Sequence, residues 1–153
     1  MSNKKKKELV VSAIDNGTVI DHIPANEIYK VVKILNLDSY NDEVLIGTNL
    51  SSKKFGKKGI IKVKNKFFEE TEVNKISLVA PNATLIVIKD YEVVEKIQLN
   101  IPKEIKKFVK CINPNCITNI EDIETYFKVV ENEPLKLQCH YCEKTMTNIR
   151  FEE

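Results

Sequence analysis

The chain has 153 residues, of which 42% are hydrophobic and 30% charged, enough for one medium domain or two small ones. Lysine and arginine number 24 against 22 acids, a net charge of +2 that excludes nucleic-acid recognition by bulk charge alone. No apolar run approaches the roughly 20 residues of a membrane-spanning helix, and no signal-like segment follows the first lysines, so the expected location is the cytoplasm.

In chain order, the N-terminal lysines Lys4–Lys7 precede LVVSAI (Leu9–Ile14), a short apolar strand. GTVIDHI (Gly17–Ile23) follows an Asn-Gly turn as a second strand, and Pro24 suits the first turn of a helix. Ile28, Val31, Val32 and Leu35 recur at helical spacing, one apolar stripe of an amphipathic helix. EVLIGTNL (Glu43–Leu50) and GIIKVKN (Gly59–Asn65) alternate as strands, with KKFGKKG between them as a hairpin turn. Lys53, Lys54, Lys57, Lys58, Lys62, Lys64 and Lys66 crowd this region, and like the Lys4–Lys7 tail they read as solvated surface.

Val73, Ile76 and Ala80 mark a second helix that Pro81 ends, and ATLIVIK (Ala83–Lys89) and YEVVEKI (Tyr91–Ile97) are strands. The order is β-α-β-β-α-β with one extra strand, a ferredoxin-like α+β pattern over residues 1–100. NIPKEIKKF (Asn100–Phe108) reads as the linker to a second domain, 101–153. There TYFKVV and LKLQC alternate as strands around an NEP turn, so this part is a small all-β domain.

The four cysteines all lie in that last third, as Cys111-x4-Cys116 and Cys139-x2-Cys142. In a reducing compartment, two such turns offer four thiolates to one tetrahedral zinc ion, with Zn–S bonds of about 2.3 Å. Two disulfides or four free thiols are the alternatives. Four thiolates close the coordination sphere, so the zinc is structural, one per chain; a hydrolytic zinc keeps a position open. His140, inside the second turn, reads as a surface side chain beside a complete ligand set. A domain of only about fifty residues needs such a staple, and zinc binding contributes on the order of 10–16 kcal/mol.

Nucleophilic chemistry has little to work with. There is no glycine-rich phosphate loop, no G-x-S-x-G and no H-E-x-x-H, and the two histidines, His22 and His140, fall in different domains. One constellation stands out in the first domain: Asp21 and His22 after a strand, and Lys62 on the strand face of Ile60 and Lys64. Lysine supplies charge for a phosphate and aspartate accepts from hydroxyl or amino groups; a capping Asp with an exposed Lys is the other reading. A zinc-containing nucleic-acid-binding protein is the rival class, with Phe55, Phe67, Phe68 and Tyr126 as stacking rings.

GTVIDHIPA (Gly17–Ala25), IGTNL (Ile46–Leu50), KKGIIKVKN (Lys57–Asn65), APNAT (Ala80–Thr84) and YEVVEK (Tyr91–Lys96) resemble the regulatory chain of aspartate carbamoyltransferase. CINPNCITN and LQCHYCEK resemble its zinc domain, and the resemblance runs from about residue 9 to the C-terminus. It implies a non-catalytic partner of a pyrimidine-biosynthesis enzyme. The first domain would form homodimers and bind nucleoside triphosphates, with CTP commonly inhibiting, sometimes with UTP, and ATP commonly activating. The zinc domain would clip onto the catalytic chain, three regulatory dimers bridging two catalytic trimers in a dodecamer.

Carried over by position, the nucleotide groove would include Val11, Ala13, Ile14, Asp21, His22, Ile60, Lys62, Ile88, Tyr91, Val93 and Lys96. Lys62 and Lys96 suit ribose and phosphate oxygens, and backbone groups of Val11–Ile14 and Tyr91–Val93 suit the base edge. Ser12 stands where some relatives carry an acidic residue, and Ile86 where some carry an asparagine. An isoleucine side chain forms no hydrogen bond, so the resemblance does not fix the choice of effector here.

Overall fold

The computed structural model describes residues 14–53 and 56–152, so the Lys4–Lys7 tail, Val11, Ser12, Ala13 and Phe55 lie outside the described residues, as does the Leu9–Ile14 strand apart from Ile14. The chain divides between Leu99 and Asn100 into two compact units.

The first unit is built on β1 (Gly17–Pro24), α1 (Ile28–Ile34), β2 (Val44–Ser52), β3 (Gly56–Lys64), α2 (Glu70–Val79), β4 (Thr84–Lys89) and β5 (Glu92–Gln98). Its strands form one antiparallel sheet in the order β2-β3-β1-β4-β5, the split βαβ, ferredoxin-like arrangement with β5 added at one edge. Strand alternation divides the sheet residues between two faces. Ile20 sits across from Ile61 and Leu85, and these join Ile28, Val31 and Ile76 from the helices in the main core. Val19, Ile60 and Ile88 point to the opposite face, where with Ile14 they form a separate small cluster.

Local chemistry explains the helix ends. A one-turn 3₁₀ segment, Ala25–Glu27, separates Pro24 from α1, so the proline closes β1 rather than opening the helix itself. Glu69 and Glu72 form a reciprocal capping box at the start of α2, and Pro81 follows its C-cap Ala80. Gly17 has φ +144°, and a Cβ there would run into the Val63 carbonyl oxygen, so the entry to β1 requires glycine.

The second unit has β6 (Glu104–Lys106), β7 (Val109–Lys110), the single-turn α3 (Ile117–Ile120), β8 (Tyr126–Asn132), β9 (Leu135–Cys139), β10 (Thr145–Met146) and β11 (Arg150–Phe151). A four-stranded sheet, β10-β9-β8-β6, and a two-stranded β11-β7 ladder make it almost entirely β. Ile105, Val109, Phe127, Leu137 and Met146 are buried in it, a small apolar core.

Four expectations are corrected. The run Asn100–Phe108 is not a linker throughout: Ile105 and Phe108 are buried, and β6 pairs with β8, leaving only 100–103 as connection. Those two apolar side chains, set in a charged run, fill the small core of the second unit. The KKFGKKG turn is shorter than expected, because Lys57 and Lys58 already belong to β3 and Ser52 pairs with Gly56. Asp21 and His22 do not follow a strand but lie within β1, at a bulge between Ile20 and Ile23 where His22 has φ 60°. Lys62 is not solvated surface: it is 4% exposed.

Among the described residues, no helix is long and apolar enough to cross a membrane. Ile76 is fully buried between α2 and the sheet, whereas Tyr29 on α1 is 68% exposed. Urea unfolding of Ile76→Ala is expected to show a loss of about 2–5 kcal/mol. Tyr29→Ala is expected to stay within about 0.5 kcal/mol.

Candidate metal centre and open-face groove

The Sγ atoms of Cys111, Cys116, Cys139 and Cys142 all lie within 4.8 Å of one another. Cys111 and Cys142 are 3.7 Å apart at sulfur, and so are Cys116 and Cys139. A disulfide requires about 2.05 Å, so these are not bonded pairs. Tetrahedral zinc with bonds of about 2.3 Å places its sulfurs roughly 3.8 Å apart, close to both measured edges. The donor set and its spacing therefore fit one zinc ion.

Each cysteine is placed by local structure. Asn119 at the end of α3 donates from Nδ2 to the carbonyls of Cys111 (2.9 Å) and Asn113 (2.7 Å), folding the x4 turn back on itself. Thr118 Oγ1 lies 3.2 Å from Cys116 Sγ as a hydrogen-bond donor. The second turn closes through Glu143 N to Cys139 O and Cys139 N to Lys144 O, with Glu143 at φ 64°. Thr118 and Asn119 escaped the sequence reading, although their places directly after Cys116 made them natural supporting residues for that turn. His140 does not join the sulfurs: its ring stacks on Tyr126 at 4.8 Å, edge-on to Tyr141.

Burial raises the Cys111 thiol to about 12 and raises Cys139 as well, so with no cation between them these groups hold their protons. At Cys142 burial works the same way, but the Asn113 side chain and the Lys144 backbone outweigh it and bring the group down to about 7. A divalent ion reverses this balance by favouring thiolate at all four positions, and binding it releases protons.

In the first unit, the sheet face opposite the helices carries most of the other candidate residues. Lys62, Val19, Ile86 and Lys96 form one row across β3, β1, β4 and β5. Three inter-strand spacings put the two lysines roughly 14 Å apart at the backbone. A neighbouring row places Lys64, Gly17, Ile88 and Val93 side by side. Ile14, Ile60 and Ile88 are buried there, while Val93 is 61% exposed. Burial lowers the Lys62 pKa from the usual lysine range.

Asp21 anchors the bulge of β1. It accepts from the backbone N–H of His22 at 2.7 Å, its second oxygen lies 3.9 Å from His22 Nδ1, and Lys58 Nζ sits 2.7 Å from Oδ1. From sequence Lys58 was read only as one of the solvated lysines, though it shares the period-two alternation of Ile60 and Lys62. Tyr91 lies in the β4–β5 turn, 76% exposed. Its N–H donates to Asp15 O at 2.9 Å.

Of the stacking rings of the rival reading, Phe55 lies outside the described residues, Tyr126 is stacked on His140, and Phe67 is 44% exposed. Phe68 packs against the helix-side core and Phe67 lies beneath Lys89, 5.3 Å from Nζ to ring centre.

Comparison with known families and proteins follows the same division of the chain. Residues 9–100 match the model of the aspartate carbamoyltransferase regulatory chain, allosteric domain, and residues 103–152 that of its metal binding domain. A Porphyromonas gingivalis protein named aspartate carbamoyltransferase regulatory chain is 49% identical over 148 residues, covering 97% of this chain and 98% of the relative. Proteins with the same name from Thermococcus sibiricus and Pyrococcus abyssi are each 55% identical, over 92% and 91% of this chain and 93% of each relative.

The metal centre predicts a local response to chelation. Removing zinc is expected to unfold the second unit while the first retains its far-UV dichroism and amide dispersion, followed by NMR during titration with a chelator. Zinc lowers the thiol pKa values of the folded unit, so the stability it confers is present at neutral pH and lost as pH falls. Zinc release measured against pH should therefore occur on acidification, and release on raising the pH would contradict a thiolate site.

Proposed function

The chain belongs to the family of aspartate carbamoyltransferase regulatory chains, and from that membership we propose that its first unit senses nucleoside triphosphates while its zinc unit grips the catalytic chain. It is a regulatory chain with an allosteric and a metal-binding domain, and the relatives carry the name of regulatory, not catalytic, chains. The allosteric domain is assigned to residues 1–100 and the zinc domain to 101–153.

The observation that carries the nucleotide reading is the row holding buried Lys62 and exposed Lys96 on the helix-free face, with Asp21 two residues along β1 from Val19 of that row. Lysine cations at separated points suit a polyphosphate and a ribose, and the apolar residues between them suit the flat body of a base. The resemblance adds Val11 and Ala13, which lie outside the described residues. The Tyr91 carbonyl, an acceptor, suits a base bearing an amino group. His22 faces the phosphates.

Homodimerisation fits the unequal edges of the sheet. Strand β5 carries Glu92, Glu95 and Lys96, charges that discourage pairing, whereas β2 (VLIGTNLSS) carries none and exposes Leu45 and Ile46. We assign β2 as the edge where two copies meet. Three such dimers would bridge two catalytic trimers, the zinc units making the contacts. Effector binding would then favour one arrangement of the dimer and of the connection at 100–103, with a coupling of about 1–3 kcal/mol.

Calorimetric titration of the zinc-loaded chain with CTP, ATP and UTP tests the groove. Lys62→Ala is expected to weaken CTP binding by about 1.5–3 kcal/mol, roughly 10- to 150-fold, and to leave assembly with catalytic chains intact. An unchanged CTP isotherm would place the nucleotide elsewhere.

Lys62 also sets a pH dependence. Burial disfavours its charged form, and a bound phosphate favours it again, so binding takes up a proton wherever the amine is neutral before the nucleotide arrives. Affinity should fall as pH rises through the lowered Lys62 pKa, and titrations in buffers of different ionisation enthalpy should report proton uptake there. The same titrations with Lys62→Met should lose that uptake.

A further inference from the structure

The turn between β4 and β5 holds Tyr91 in a conformation that tyrosine does not favour. Asp90 has φ 51° and Tyr91 has φ 65°, so both central residues are left-handed, as in a type I′ hairpin turn. Asparagine, aspartate and glycine are the usual occupants, so Asp90 fits the turn and Tyr91 does not. A bulky residue such as tyrosine is uncommon in that region, and strain of this kind clusters at functional positions. Packing does not explain it, because Tyr91 is 76% exposed.

The constraint comes from the entry to β1. Tyr91 N–H donates to Asp15 O at 2.9 Å, and Asp90 N–H donates to the side-chain Oδ1 of Asn16 at 3.2 Å. Asn16 is itself held in place: its carbonyl accepts from Asn65 N at 2.9 Å, and it precedes Gly17, which is wedged against Val63. One backbone carbonyl, of Asp15, and one side chain, of Asn16, thus tie the turn to the start of β1, and only the second can be removed by substitution.

We propose that Asn16 is a positioning residue for the effector groove, its side-chain oxygen holding the Asp90–Tyr91 turn in the left-handed conformation that presents the Tyr91 carbonyl and Val93. This rests on the nucleotide reading above and adds a determinant that touches no ligand. With the anchor removed, the turn samples other conformations, and binding must then order it again.

The test uses the full zinc-loaded chain. CTP titration and amide exchange by NMR are compared for the wild type, Asn16→Ala and Asn16→Asp, all at the same high salt so that the charge added in Asn16→Asp is screened. Asn16→Ala is expected to bind CTP about tenfold more weakly and to exchange the Asp90 amide at least tenfold faster. Asn16→Asp keeps an acceptor oxygen at the same reach, and should bind CTP and protect the amide as the wild type does. If Asn16→Ala fails to fold, Asn16→Gln replaces it, since the extra methylene displaces the oxygen; equal CTP affinity in Asn16→Gln and Asn16→Asp overturns the proposal. Wild-type CTP binding that Asn16→Ala leaves unchanged, despite fast exchange at Asp90, overturns this proposal alone. Failure of the wild type to bind CTP, ATP or UTP overturns it together with the groove.

Discussion

Strand β1 is paired on both sides, with β3 along one edge and β4 along the other, and the first unit is arranged around that double commitment. A strand paired on both edges has no freedom of register, so each side chain falls on one face or the other. Ile20 and Ile23 join the helix-side core, and Val19 goes to the open face. The bulge at Asp21–His22 interrupts the alternation and supplies the polar end of the groove beside Lys58. Gly17 allows the strand to start against the Val63 carbonyl, and Asn16 just before it ties down the β4–β5 turn. A shift of one residue in β1 would exchange its core and groove residues.

Unit 2 obeys a different constraint. Its apolar core is small, and the cysteine turns hold together segments that hydrophobic burial would secure only weakly. Desolvation makes the empty four-thiolate arrangement unfavourable, as the raised Cys111 and Cys139 groups show, so ion and fold support each other. The supporting groups are ordinary ones, a threonine hydroxyl on Cys116 and an asparagine amide bridging two carbonyls of the first turn. Exposed Ile112, Ile117, Ile120 and Tyr141 lie in or beside these turns, consistent with an outward role for this unit.

The element pattern was legible because it rests on periodicity. Ile28 and Val31 are buried on α1, Leu35 at its C-cap, and Ile76 on α2, as the helical spacing required. The cysteine pairs were legible because a metal site leaves its spacing in the chain. The run at Asn100–Phe108 was misread because lysines, a glutamate and a proline mask two apolar residues whose destination is a core made by distant strands. Lys62 was misread in part for a similar reason: a lysine in a lysine-rich hairpin looks exposed until the strands on either side cover its stem.

Sequence alone determined which residues could serve: four thiols in two turns, alternating strands, two helical stripes, and lysines and an aspartate with no nucleophilic machinery beside them. Family membership, too, was readable from local motifs in their order along the chain. Tertiary structure decided which of these residues meet. Lys62 and Lys96 share a row only because β1 and β4 lie between their strands. Asn16 reaches Asp90, 74 positions away, only because the sheet folds the β4–β5 turn back to the start of β1. Local propensity acts over a few residues, whereas strand order and register are fixed by burying both faces of a whole sheet at once.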